Sequence, residues 1–504
     1  MTTTNHGRTF LAPAPALGAL CLLAACAVGP DYERPSAPVP ATYKEAGRNA
    51  GPEAGPEAGR EGKVIQAALT SVPRADGWRP ANPQQAAPES WWSVFNDPVL
   101  DGLMRQVEVS NQTLKASEAA YRQAQALVEE SRASFFPVLS VSGAGQRSGP
   151  VGSGRTSASS SRNGGGARTI YDVGLDASWA PDLWGRIRRS VESDEAAVQA
   201  SAADLAAARL SAQAQLASAY FQLRVADERK RLLESSIAAY RRSLEIARNR
   251  HAAGTATLAD VFTAETQVRT TESQLIALDV QRAQFENAIA VLIGRPPSDF
   301  ALAPEPLTAT IPVIPPGIPS ALLERRPDIA AAERQMAQTN ALIGVAESAY
   351  YPDFLISGSV SNTAAIIPKL FQAPTALWAF GAQVAETLFD GGARDAVVKL
   401  RRASFDQSVA LYRQTVLTAF QEVEDQLASQ RVLAKQAAVQ ADAVRLAREA
   451  ERLTLNQYRA GTLPYSSVLT AQTTALSDEE NALSVRQNRL LAAVSLIQAL
   501  GGRF

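Results

Sequence analysis

The feature that most constrains this chain is a long pattern written twice. Gly185 and Gly254 enclose 68 residues with neither glycine nor proline, and Gly392 and Gly461 enclose another 68. The two glycine pairs lie 207 positions apart. Matching runs close the stretches, His251-Ala252-Ala253-Gly254-Thr255 and Tyr458-Arg459-Ala460-Gly461-Thr462, and Leu292-Ile293-Gly294 answers Ala499-Leu500-Gly501 at the same offset. A spacing held over 110 residues marks a duplicated structural unit. At about 1.5 Å per residue, so long a helix would reach roughly 100 Å, several times the length of an ordinary globular one. The chain is built to span a distance.

Composition narrows the classes of function. Among 504 residues, 49 basic groups face 50 acidic ones, which argues against a nucleic-acid binder with its clustered basic excess. Two histidines and two cysteines leave almost nothing for a metal site or a histidine-based active site, so no metal, cofactor or catalytic residue is expected. Alanine supplies 12 of the 24 residues from Ala196 to Ala219. Such narrow small-residue faces suit a wall of helices packed side by side, like a coiled coil, more than the broad apolar stripe of a globular helix.

The N-terminus reads as a lipoprotein signal. Arg8 precedes a mostly apolar stretch from Phe10 to Leu22, and Leu23-Ala24-Ala25-Cys26 matches the bacterial lipobox. Residues 1–25 are then a signal peptide, and Cys26 carries the lipid anchor; the alternative is an ordinary signal with a chance cysteine. Ala27, where an aspartate would signal inner-membrane retention, favours the outer membrane. No later run of 18 apolar residues predicts a transmembrane helix. Residues 26–90, rich in proline, glycine and alanine, read as an extended, poorly ordered, lipid-anchored tether.

Beyond the tether, Asp97-Pro98 is a helix-start signal, and residues 112–134 and 327–350 read as helices ended by Phe136-Pro137 and Tyr351-Pro352. After each, the period changes to two. Tyr171, Val173, Leu175, Ala177 and Trp179 alternate with Asp172, Gly174, Asp176 and Ser178, and 138–146 is a weaker partner. In the second half, Phe354, Ile356, Gly358 and Val360 predict one strand, and Trp378, Phe380, Ala382 and Val384 another. The domain plan is therefore repeat 1 over 91–294 (helix, hairpin 138–180, long helix, helix), a proline-rich linker over 295–319, and repeat 2 over 320–504 with its hairpin at 353–390. The glycine- and serine-rich stretch from Ser142 to Ala167 reads as a flexible loop.

Strands of this length with one apolar face suit a membrane barrel. Four strands cannot close one, because the smallest single-chain barrels have about eight. Open edges in lipid would leave backbone groups unpaired at several kcal/mol each, so several chains must share the barrel. The fold class expected is an α+β membrane protein, a long α-helical coiled-coil barrel joined to a shared transmembrane β-barrel.

Several runs then resemble the lipoprotein branch of the TolC-like outer membrane efflux channels. They are Val28-Gly29-Pro30-Asp31-Tyr32, Trp91-Trp92-Ser93-Val94-Phe95-Asn96-Asp97-Pro98, Leu322-Leu323-Glu324-Arg325-Arg326-Pro327-Asp328, Leu388-Phe389-Asp390-Gly391-Gly392 and the two tip sequences. The resemblance implies a homotrimer whose twelve-stranded barrel sits in outer membrane lipid and whose helical tunnel crosses the periplasm. It implies a periplasmic membrane-fusion adaptor and an inner-membrane pump of the resistance-nodulation-division class as partners. Gly254, Thr255, Arg459, Ala460, Gly461 and Thr462 become adaptor-docking tips; as plain helix caps the glycines would need no further role. The periplasmic gate falls on Asp260, Ser467 and Thr470; the last two are neutral where the family often has aspartates, and Leu463-Pro464-Tyr465 stands where TolC has an arginine. Export of drugs or other small molecules is expected. The alternatives are the outer channel of a type I protein secretion system, or a lipid-anchored trimeric structural stalk.

Overall fold

The computed structural model describes residues 27–37, 39–40, 42–45, 90–149, 167–314, 319–372 and 375–502. The expected signal peptide and Cys26, residues 46–89 of the tether and most of the loop before β2 lie outside these. Among the described residues the longer helices and the strands are, in chain order, α1 (Pro98–Ser110), α2 (Gln112–Ala133), β1 (Val138–Ser148), β2 (Arg168–Trp179), α3 (Arg186–Ala252), α4 (Leu258–Leu292), α5 (Pro327–Ser348), β3 (Asp353–Ala364), β4 (Ala376–Ala385), α6 (Ala393–Arg459) and α7 (Tyr465–Ala499). Short 3-10 turns and a single turn at Leu322–Arg325 join them. Both long helices have 67 residues, and both return helices have 35. The duplication in the sequence is thus a duplication of elements.

The chain forms two compact units. One comprises the described residues up to Pro35 with Arg122–Val198 and Arg334–Ala410; the other comprises Ser36–Tyr121, Gln199–Glu333 and the residues from Leu411 onward.

The first unit holds the sheet, antiparallel in the order β1-β2-β3-β4. Its register decides its chemistry. Leu139 and Val141 oppose Ala177 and Leu175; Leu175 and Trp179 oppose Val360 and Ile356; Ile356, Gly358 and Val360 oppose Ala382, Phe380 and Trp378. Partners share a face, so every apolar set in the four strands falls on the same side. The opposite side carries Ser140, Ser142, Asp172, Asp176, Ser357, Ser359, Ser361 and Gln383. There Thr363 Oγ1 donates to Asp172 at 2.9 Å and Ser142 Oγ to Asp176 at 3.3 Å. β1 and β4 are the sheet's edges, and every residue of both is exposed. At the end of β2, Trp179 donates to Phe135 O at 2.9 Å, and beyond it Trp184 stacks on Tyr351 with 5.0 Å between centroids. Trp378 lies exposed on β4.

The start of the chain differs from the tether read in the sequence. Residues 27–35 are extended but bound to the first unit. Arg189, buried in α3, donates to Val28 O at 3.3 Å, to Gly29 O at 3.1 Å and to Asp31 at 2.8 Å, and Glu192 accepts a further bond at 2.8 Å. Val28 N donates to Trp184 O, and Asn340 to Pro30 O. Gly29, at φ 104°, lies so close to α5 that a Cβ would fall 2.3 Å from Gly344 Cα. In the second unit Arg431 donates to Glu45, whose backbone N donates to Glu424. Carboxyls and guanidiniums scattered along helices look solvated in sequence; Arg189, Glu424 and Arg431 are in fact clasps for this segment.

The second unit is built from helix faces. Asp97 caps α1 by accepting from Val99 N and Leu100 N, and also accepts from Tyr220 OH at 2.7 Å, which fixes the Trp91–Phe95 turn against α3. Asn111 separates α1 from α2, in keeping with the helix read from residue 112: its side chain caps Leu114 N and donates to Leu292 O. The linker after α4 is held by arginines, with Arg224 donating to Ala303 O, Arg282 to Leu302 O and Arg486 to Leu307 O. Arg326 of the Arg-Arg-Pro-Asp run bonds Asp328, Glu422 and Ala499 O, so that motif anchors the start of α5.

Candidate functional site

The two helix tips are built alike. At the first, Gly254 at φ 72° reverses the chain, Gly254 N donates to His251 O, and Thr255 N donates to Arg250 O. At the second, Gly461 at φ 79° does the same, with Gly461 N donating to Tyr458 O and Thr462 N to Gln457 O. This paired closure satisfies two carbonyls that the helix end leaves open. Each threonine hydroxyl adds a bond, Thr255 Oγ1 to Arg250 O at 3.0 Å and Thr462 Oγ1 to Gln457 O at 2.9 Å. Gly254, Thr255, Arg459, Ala460, Gly461 and Thr462 are all exposed. The geometry that a cap needs and the exposure that a docking surface needs coexist here.

The gate candidates separate. Asp260 is the third residue of α4 and completes a capping box: Thr257 Oγ1 accepts from Asp260 N at 3.2 Å, and Asp260 Oδ2 accepts from Thr257 N at 3.0 Å. That carboxylate has a structural task whatever else it does. Ser467 is half-buried in the first turn of α7, and Thr470 is exposed, its hydroxyl donating to Ser466 O. His251 places Nδ1 3.1 Å from Ala256 O.

Sequence reasoning missed the residue that joins the tips. Arg250, four residues before Gly254, donates through Nη1 to Tyr458 O and through Nη2 to Thr255 O at 3.3 Å. Its guanidinium lies 4.6 Å from the Tyr458 ring centroid, and Tyr458 meets Tyr465 edge-on at 5.5 Å. A cation over an aromatic face is worth about 0.5–2 kcal/mol, depending on desolvation. The second tip's own sequence lacks the basic residue, and the first tip supplies one. Only the fold makes that visible, because 208 positions separate the pair.

Behind the tips lies a buried cluster of Leu233, Tyr240, Leu244, Val261, Val268, Tyr465 and Val468. Tyr240 OH donates to Gln472 O at 3.2 Å, and Gln472 Nε2 to Ser243 Oγ at 3.1 Å. Glu451, half-buried nearby, has its carboxyl pushed above the ordinary glutamate value by burial, with Glu479 adding to the shift and Gln472 opposing it. Two exposed pairs cross the first hairpin, Arg248 to Glu265 at 3.1 Å and Arg241 to Glu272 at 2.7 Å. Among the described residues no cluster of metal-ligating side chains occurs, and no helix is long and apolar enough to cross a membrane.

A long-helix duplication carrying a sheet with one apolar face defines a class of channel-forming outer membrane protein, and comparison with known proteins agrees. The family model for outer membrane efflux proteins matches residues 103–295 and 318–502. The chain belongs to the outer membrane efflux protein family. It is similar to the pyoverdine export outer membrane protein OpmQ of Pseudomonas aeruginosa, 31% identical over 82% of this chain and 87% of that one. It is also similar to the antibiotic efflux pump outer membrane protein ArpC of Pseudomonas putida, 28% identical over 95% and 93% of the two chains. The solved structure of the outer-membrane channel OprN superposes with a TM-score of 0.79 at 28% identity, covering 95% of this chain and 99% of that one. The protein is thus an efflux channel protein of the outer membrane.

Proposed function

We propose that this chain is the outer channel of a tripartite system, receiving drugs or other small molecules from an inner-membrane resistance-nodulation-division pump through a periplasmic membrane-fusion adaptor. The observation that carries the reading is the sheet: four strands whose alternating apolar residues share one face, and two edges with no partner among the described residues. A second copy supplies the missing partner most economically, β4 of one chain pairing with β1 of the next. A homotrimer gives the twelve strands that the family resemblance implies. ArpC and OpmQ, named for antibiotics and for pyoverdine, support small organic cargo.

The helices call for neighbours as well. Val432, Val439, Leu446 and Leu453 form an exposed heptad stripe on α6. Val225, 207 positions before Val432, is 3% exposed, whereas Val432 is 52% exposed. On α4, Leu258 and Phe262 are exposed where their counterparts on α7, Tyr465 and Leu469, pack into the cluster. Surfaces that the first long helix and the last helix bury inside the chain are left open on α6 and α4.

In this reading residues 1–25 are removed and Cys26 carries lipid. Ala27 lies against Gly185, just past the end of β2, which suits an anchor at the membrane face. Two tandem repeats, 91–294 and 320–504, supply the hairpins and the helices, joined by the 295–319 linker. The exposed tips Gly254, Thr255, Arg459, Ala460, Gly461 and Thr462 meet the adaptor, and Asp260, Ser467 and Thr470 line the entrance. The channel performs no catalysis and needs no cofactor; the pump supplies energy. Single-channel recording tests this: the purified protein, of a mass corresponding to three chains, conducts when inserted in a planar bilayer. An inserted oligomer that never conducts sinks the reading. Radiolabelled palmitate, incorporated by the parent and absent from Cys26→Ser, tests the anchor.

A further inference from the structure

Where the sheet meets the helices, the first unit holds a cavity of about 390 Å³, walled by the ends of α2 and β2 and the starts of β1 and α3. Phe136, Val138, Trp179 and Leu355 give it apolar surface, and all four are exposed. Ser134, Ser178 and Ser190 give it hydroxyls that have no bonded partner among the described residues. Ser131, which donates to Asp194, offers only lone pairs. Among the described residues one charged group lines the cavity, Arg186.

That arginine differs from its neighbours. Arg188 pairs with Asp182, and Arg189 with Asp31 and Glu192, whereas Arg186 is exposed and makes no ion pair among the described residues. Two carboxylates share a smaller adjoining cavity with it, Asp182 and Asp353. Asp182 is spent on the Ile187 and Arg188 amides and on the Arg188 guanidinium; Asp353 stands exposed at the start of β3. Because Asp182 already serves the first amides of α3, the guanidinium and not the helix end is the open contact.

The register says which side the strand residues of the cavity face. Val138 opposes Ser178, and both alternate in step with Ser140 and Asp176 on the polar side of the sheet; Leu355 lies on that side too, two residues before Ser357. In a channel whose apolar strand faces meet lipid, this side meets water and passing cargo, a step that rests on the channel reading above. A free guanidinium, a few hydroxyls and aromatic surface suit a small organic anion with a flat apolar body. The guanidinium's parallel N–H groups match a carboxylate or sulfonate, the serines can reach a remaining oxygen, and the rings cover the body. The volume falls within the range of about 300–1,000 Å³ usual for such ligands. An anionic phospholipid headgroup carries the same charge, but its chains belong on the side that Val138, Ser178 and Leu355 do not face.

We propose that the cavity at Arg186 binds small aromatic anions on their way through the channel. Single-channel recording of the full-length protein in a zwitterionic bilayer tests it, with naphthalenesulfonate as the probe. The sulfonate is expected to interrupt the current reversibly, and neutral naphthalenemethanol at the same concentration to leave it unbroken. Arg186→Gln is expected to raise the half-blocking concentration about tenfold or more, the usual effect of losing a hydrogen bond between charged groups. Phe136→Ser is expected to raise it several-fold at unchanged conductance. Arg168→Gln removes a cation from the same face ten residues back along β2 from Ser178. At about 33 Å, well beyond the screening length of about 10 Å in 0.1 M salt, it is expected to leave the block within about twofold. A block equal for both probes, unmoved by Arg186→Gln, or weakened as much by Arg168→Gln overturns the proposal. A block that vanishes when a little phosphatidylglycerol is mixed into the bilayer gives the site to lipid and overturns it as well. Protein that inserts but never conducts overturns the channel reading on which it rests.

Discussion

At the scale of single residues, the chain hides its most consequential contacts. The tip glycines stand out in sequence because a proline- and glycine-free stretch ends there, and Asp260 stands out only through the family resemblance. Arg189 and Arg250 do not, since an arginine on a polar helix looks solvated until its partner, some 160 or 208 positions away, is in place. Arg189→Ala leaves the Val28 and Gly29 carbonyls without their guanidinium. Each buried group so orphaned costs about 1–3 kcal/mol, so the segment before Pro35 is expected to detach, and limited proteolysis there should quicken markedly. Unchanged cleavage would show that other contacts hold it. Glu451 makes a pH-dependent contribution of the opposite kind. Burial raises its carboxyl above the ordinary value of 4.5, so the folded state holds the proton more tightly than the unfolded chain does. Stability therefore falls as pH rises from that ordinary value through the raised one, and the penalty is fully present above it. Glu451→Gln is expected to raise the thermal midpoint at neutral pH and to lose its advantage in acid; an advantage independent of pH would exclude burial as the cause.

Elements were the most legible level, for a physical reason. Period-two alternation in 171–179, 354–360 and 378–384 coincides with β2, β3 and β4, because a sheet wet on one face and apolar on the other writes that period directly into sequence. β1 carried a weaker pattern, since Gly143 and Gly145 on the apolar face and Val138 and Ala144 on the polar one blur the contrast between faces. The helix start at 112 was legible, but the capping role of Asn111 was not, because polar residues on both sides of it mask a cap. Helix ends give the clearest tests. Thr257→Ala removes one half of the capping box while leaving the Asp260 charge, and costs about 0.5–2 kcal/mol of stability. If conductance changes with Asp260→Asn but not with Thr257→Ala, Asp260 acts at the entrance beyond its cap; equal changes reduce it to a cap. Gly461→Pro places a residue fixed near φ −65° where φ is 79°, and is expected to disrupt the second tip without altering the sheet.

The whole molecule was legible as a doubled plan and as an incomplete one. Exact repetition at 207 positions announced two copies of one unit, and four strands announced missing partners. The binding of Val28–Asp31 and of Glu45 to helices was not legible, because proline-rich sequence carries no period that would reveal a partner. Assembly has its own test at this scale: Leu446→Lys with Leu453→Lys puts charges on the exposed α6 stripe and is expected to leave folded but unassembled chains, read by native mass. The central claim, an efflux channel fed by a pump, is tested most directly by dye efflux in cells lacking their own outer channel and supplied with this protein, a drug-efflux pump and its adaptor. Restored efflux, lost again with Gly461→Pro in a protein that still reaches the outer membrane, is the predicted result. Absence of efflux through a correctly inserted assembly, with pump and adaptor shown to work alongside another outer channel, would contradict the account.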